Sequence, residues 1–187
     1  MSLRSNLKVV MLVFSTVLLL GLSVFAADDV VSAVHGTVDK LDTATKTVVV
    51  KTSDGAVHSL RFAGNTAVHG AHVGEEATKE SFDGLKEGDE VVAHYTEEGG
   101  KATAIEVDRV GKDGLNATEG TISAFDRAGK TITIKSADGT EHAFVLTGRA
   151  SKDAGKDIGE GTEKGTKVVV YSAAGAGKDV AHFFEKL

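Results

Sequence analysis

His35–Gly64 reads HGTVDKLDTATKTVVVKTSDGAVHSLRFAG, and Glu119–Gly148, 84 residues further on, reads EGTISAFDRAGKTITIKSADGTEHAFVLTG. The step carries Gly36 onto Gly120, Asp42 onto Asp126, Lys46-Thr47 onto Lys130-Thr131, Asp54-Gly55 onto Asp138-Gly139 and His58 onto His142 without a gap. Self-similarity of this kind is read before any single segment, because it makes the fold of one copy the fold of both. Within each copy apolar and polar residues alternate, the period of a half-buried strand. Val48 and Val50 share a face, as do Leu60 and Phe62, while Thr47, Lys51 and Arg61 lie opposite. The second copy keeps the bulk at Ile132, Ile134, Phe144 and Leu146. A face that keeps its bulk while the opposite face changes freely is a core face, since a slip of one residue would turn the whole set to solvent. Asp54-Gly55 and Asp138-Gly139 tolerate positive φ, so each closes a tight hairpin between its flanking strands.

The same alternation predicts strands at Val34–Leu41, Lys46–Thr52, Ala56–Phe62, Glu90–Thr96 and Ala102–Asp108, then again at Thr118–Phe125, Lys130–Ser136, Thr140–Leu146, Lys167–Ser172 and Lys178–Phe184. Glu75–Leu85 is charged and places Phe82 and Leu85 three apart, which predicts a short helix interrupted by Gly84. Strand-strand-strand-helix-strand-strand is the order of the OB barrel. The chain is therefore expected to be all-β with a short helix per repeat, folded as two tandem five-stranded OB-like Greek-key barrels. Aligning Gly88 with Gly165 and Lys101 with Lys178 takes a step of 77, so the second copy lacks about seven residues between its third and fourth strands. The expected boundaries are a signal peptide at 1–26, a first domain at 27–110, a linker at 111–117 and a second domain at 118–187.

The first segment is a targeting signal by composition. Arg4 and Lys8 precede the apolar run Val9–Leu22, and Val24 and Ala26 are small enough for a signal peptidase, which predicts cleavage after Ala26 and no stable membrane span afterwards. Residues 1–26 hold two basic and no acidic residues, so of 21 basic and 27 acidic residues the exported form keeps 19 and 27, a net charge of −8. Such a chain repels nucleic acid and attracts cationic partners. Cysteine is absent, which removes disulfides, thiolate nucleophiles and thiolate metal sites together. The expected location is exported, periplasmic or secreted.

Gly36-Thr37-Val38, Val48-Val49-Val50 and Leu85-Lys86-Glu87-Gly88-Asp89-Glu90-Val91 carry a resemblance. Each repeat resembles the small exported β-barrel domain of unknown function found in many bacterial secreted proteins. The second copy keeps Gly120-Thr121-Ile122 but has only Gly165-Thr166-Lys167-Val168 before its fourth strand, a departure from the pattern. More distantly, the chain is similar to the periplasmic bacterial OB-fold proteins. Both resemblances imply a non-enzymatic binding or structural module, and neither supplies functional residues.

Histidine is the residue type best suited to chemistry here. His69-Gly70-Ala71-His72 followed by Glu75 offers two imidazoles and a carboxylate on one loop, so His69, His72 and Glu75 are the candidate metal ligands. His58 and His142, at the ends of core faces, read as barrel-rim residues, and His94, opposite the apparent inward face of its strand, as solvated. No G-x-S-x-G elbow and no phosphate-cradling glycine loop occurs, no catalytic residues are assigned and no cofactor is called for. Tyr95 and Tyr171 could stack a base, but no basic groove accompanies them. The expectation is a non-enzymatic exported binding or scaffolding protein of the bacterial envelope, acting on an envelope or extracellular ligand that the sequence does not name. The alternatives are a periplasmic metal-binding protein using the loop histidines and an unrecognised cell-envelope hydrolase.

Overall fold

The computed structural model describes residues 31–70, 82–126, 128–148, 150, 164–175 and 177–187, so the expected signal segment lies outside the described residues. The first copy forms β1 (Val31–Asp42), β2 (Thr47–Lys51), β3 (Val57–His69), β4 (Glu90–Glu98) and β5 (Lys101–Arg109). The second forms β6 (Asn116–Asp126), β7 (Thr131–Lys135), β8 (Glu141–Leu146), β9 (Lys167–Ala173) and β10 (Asp179–Lys186). Each set closes into a barrel, in the orders β1-β2-β3-β5-β4 and β6-β7-β8-β10-β9. Among the described strands β3–β5 and β8–β10 pair in parallel and the other pairs are antiparallel, which is the OB-like Greek key expected. Of the predicted Glu75–Leu85 helix the described residues hold a single 3-10 turn, Phe82–Gly84.

The repeated residues have repeated structural causes. Asp42 Oδ1 accepts from the amides of Ala44 and Thr45, Asp126 Oδ1 accepts from Gly129, and Lys46 and Lys130 follow with φ of 53° and 49°. Their carbonyls then receive the amides of Phe62 and Leu146, each at 2.8 Å. In the Asp-Gly hairpins Asp54 Oδ1 accepts from Ala56 N at 3.1 Å and from the Thr52 hydroxyl, while Asp138 Oδ1 accepts from Thr140 N at 2.9 Å. Gly36 and Gly120 lie under the second strand of their barrels: a Cβ on Gly36 would fall on Lys51 O, and one on Gly120 would come within 2.9 Å of Lys135 O.

Two of the seams between strands carry matching bulges. β1–β2 shifts register between Val38 and Lys40, and β6–β7 between Ile122 and Ala124; β4–β5 and β9–β10 shift at their own equivalent positions. The core of the first barrel includes Val38, Val48, Val50, Leu60, Val91, Ala93 and Val107, and that of the second Ile122, Ile132, Ile134, Phe144, Leu146, Val168, Val170 and Phe184. Cross-strand partners are Val48 with Leu60 and Ile132 with Phe144, whereas Val50 and Ile134 face His58 and His142.

Three features differ from expectation. β3 continues past Phe62 to His69, because the interruption at Ala63–Thr66 is a bulge: Thr66 Oγ1 accepts from Ala63 N at 2.9 Å and donates to Ala104 O at 2.6 Å, and pairing with β5 resumes at Ala67. The predicted linker is a packed turn in which Gly111 N donates to Leu115 O at 2.8 Å and Leu115 N to Arg109 O at 2.7 Å, and β6 begins at Asn116. Leu115 is buried. Finally, His94 is only 1% exposed rather than solvated. The reason is that the two barrels pack together. Val92, Leu115, Tyr171 and Phe183 form a cluster of their own, joined by Ala33, Val110, Val169 and Ala173. β4 is thus covered on both faces, with Val91 and Ala93 in the barrel and Val92 at the seam. Among the described residues no helix is long and apolar enough to cross a membrane.

Candidate metal centre

The extension of β3 brings its last residue to the seam. In the parallel pairing Ala67, Val68 and His69 stand beside Glu106, Val107 and Asp108 of β5. Val107 points into the barrel, so the period of two turns Glu106 and Asp108 outward together, and His69 turns outward beside them. His69 Nδ1 lies 2.7 Å from Asp108 Oδ1 and 3.2 Å from Glu106 Oε1. One ligand atom from each of His69, Glu106 and Asp108 falls within 4.8 Å of the others, the only such group of three among the described residues.

β10 faces these residues from the second barrel. Its pairing with β9 shifts between Ala181 and Phe183, leaving His182 as the extra residue of a bulge. Bulges re-aim a side chain relative to the regular pleat. His182 Nδ1 lies 3.1 Å from Asp108 Oδ2 and 3.8 Å from Glu106 Oε1. Asp108 is 1% exposed, so its carboxylate is removed from water with one imidazole on each oxygen. The flank is fixed by Arg109, whose Nη1 donates to Gly70 O at 2.6 Å and whose Nε lies 3.3 Å from Asp89 Oδ2. Gly70 itself packs on the linker turn, where a Cβ would come within 2.7 Å of Gly114 Cα. A cleft of about 300 Å³ opens here, lined by His69, Asp108, Arg109, Asp113, Leu115 and His182 among others.

A second cluster sits elsewhere on the seam. His35 Nε2 is 2.8 Å from Glu90 Oε1, and His35 Nδ1 is 3.0 Å from Glu185 Oε2. The Tyr171 hydroxyl is 3.0 Å from His35 Nδ1, and the two rings have centroids 4.5 Å apart. Burial, with the Glu185 and Glu90 carboxylates adding to it, pushes the Tyr171 hydroxyl well above the usual tyrosine value.

Of the candidate ligands, His69 lies at this seam, at the end of a strand and not on a loop; His72 and Glu75 lie outside the described residues. His58 and His142 are half-buried, near Tyr95 and Phe144 respectively. Glu106, Asp108 and His182 were not singled out from sequence. The spacing of Glu106 and Asp108, two apart on the outward face of a predicted strand, was a signal that could have found them. His182 had none, because its place depends on a bulge and on how the barrels pack.

No family model matches the chain. No curated protein matches it either. Among solved structures the chain is similar to the silver(I) form of CusF, at 14% identity over 42% of this chain and 96% of that one, with a TM-score of 0.31. It is also similar to a copper(II) form of a variant of CusF from Escherichia coli, at 14% identity over 42% of this chain and 90% of that one, with a TM-score of 0.32.

Proposed function

We propose that this protein is a non-enzymatic exported binding protein of the bacterial envelope whose ligand is a divalent cation, held by His69, Glu106 and Asp108. The observation that carries the reading is the convergence of their three ligand atoms within 4.8 Å at the seam. Both carboxylates are largely withdrawn from solvent, Glu106 at 12% and Asp108 at 1% exposure. Buried carboxylates are held by pairing or by coordinating a metal, and a divalent cation is a partner that both can share. The donor set is nitrogen and oxygen only: the chain has no cysteine, and its two methionines, Met1 and Met11, lie in the signal segment. Without thiolate or thioether the site has none of the donors that favour soft ions such as copper(I), and imidazole with carboxylate suits zinc and its borderline neighbours.

Calorimetric titration of zinc into the Ala27–Leu187 protein tests this. One ion per chain is expected, with His69→Ala and Asp108→Asn each weakening binding by at least about tenfold, the lower end of what losing even an outer partner costs. Unchanged affinity in both variants would remove this group from consideration. Loss of binding in a His72→Ala and Glu75→Gln variant alone would move the site into the segment that follows β3.

A further inference from the structure

We infer that His182, carried by the second barrel, is the fourth ligand of this cation, so that metal binding ties the two barrels together across their seam. The inference rests on the metal reading above and adds to it a residue, a geometry and a consequence. Zinc binds nitrogen and oxygen at about 2.0 to 2.2 Å with tetrahedral geometry, which sets neighbouring ligand atoms about 3.3 to 3.6 Å apart. His69 Nδ1 to Glu106 Oε1 is 3.2 Å, His182 Nδ1 to Asp108 Oδ2 is 3.1 Å and His182 Nδ1 to Glu106 Oε1 is 3.8 Å. These separations bracket the tetrahedral edge from both sides of the seam. Closing on one ion needs His69 to open from Asp108, now at 2.7 Å, and to draw in toward His182, which meets the other oxygen of Asp108; His69 is 57% exposed and has room to move.

The repeat shows why His182 is specific to the second barrel. A step of 77 places His182 on Ile105. Both are the extra residue of the same bulge: Ala104 pairs with Tyr95 and Glu106 with His94, as Ala181 pairs with Ser172 and Phe183 with Tyr171. One barrel fills this re-aimed position with an aliphatic side chain, the other with an imidazole directed at the first barrel's carboxylates. Four protein donors complete a tetrahedron and leave no position for a bound water. Closed sites of that kind hold structure, and sites left open by one ligand perform hydrolysis. The geometry therefore speaks for a cross-barrel fastener and against the envelope hydrolase.

Zinc K-edge X-ray absorption on the zinc-loaded Ala27–Leu187 protein counts the imidazoles. Two are expected in the wild type and one in His182→Gln, a change that keeps side-chain volume at the seam, with zinc affinity lowered by at least about tenfold. Because the chain has no native cysteine, Val57→Cys and Glu141→Cys can carry one spin label on each barrel. The distance distribution between them should narrow with zinc in the otherwise wild-type protein and not in His182→Gln. An imidazole count that is the same with and without His182, or a distribution indifferent to zinc, overturns the fastener while leaving the three-residue site standing. No zinc uptake by the wild type overturns the metal reading and the fastener with it.

Discussion

Lys46 and Lys130 carry a conformation that an L-residue adopts reluctantly, with φ of 53° and 49°, and each turns its carbonyl to an amide of the next strand, Phe62 or Leu146. Left-handed backbone costs a side-chain-bearing residue about 1 to 2 kcal/mol, which glycine does not incur. Lys130→Gly is accordingly expected to raise stability by up to about 1 kcal/mol, net of glycine's own entropy cost, in a urea unfolding curve. The turn carboxylates just before and beyond these lysines act in the acid limb. Hydrogen bonds from Thr45 hold Asp42 below its usual value, as those from Thr52 do for Asp54 and those from Thr140 for Asp138. A carboxylate whose folded value is depressed contributes stability above its unfolded value, near 3.8, and loses it as pH falls through the folded value. Asp54→Asn with Asp138→Asn should therefore flatten the fall of the thermal midpoint below about pH 4. An acid limb as steep as that of the wild type would contradict this assignment.

The hairpins set the register of everything else, and their inward residues should show it. Val50 and Ile134 are wholly buried, each in its own barrel's core. Ile134→Ala is expected to cost about 2 to 4 kcal/mol and Val50→Ala somewhat less, since less volume is lost. Thr47→Ala and Thr133→Ala, on the other face, should cost less than either, and equal costs in chemical denaturation would mean the faces are reversed. These hairpins were legible because a period of two and an Asp-Gly turn are local properties. The rest of β3 was not, because Ala63-Gly64-Asn65 has the composition of a strand end, and it is the Thr66 hydroxyl, bonded across to Ala104, that lets the strand resume. Without that bulge His69 reads as a loop residue, and nothing local joins it to Glu106 and Asp108.

Packing of barrel on barrel accounts for what alternation could not give. Val91-Val92-Ala93 and Val168-Val169-Val170 are continuous apolar runs, the pattern of strands covered on both faces, and they were visible; what covers the second face was not. The cover is the other repeat, using equivalent strands, and the seam is tied by Asp108 to His182 and by Glu185 to His35. Tyr171 lies inside it, and the sign of its response follows. Its folded value is raised, so its contribution to stability is intact below the unfolded value near 10 and is lost as pH rises beyond it. Stability should fall above about pH 10, and Tyr171→Phe should lessen that fall, with tyrosinate absorbance of the folded protein appearing only at higher pH than in the unfolded chain.

A seam closed by residues from both barrels is also where the proposed cation site lies, and anomalous diffraction at the zinc edge from crystals of the zinc-loaded protein tests it. The account predicts a peak enclosed by His69, Glu106 and Asp108 of the first barrel and His182 of the second, with bonds of about 2.0 to 2.2 Å. A peak at His72 and Glu75, or none at the seam, would contradict it.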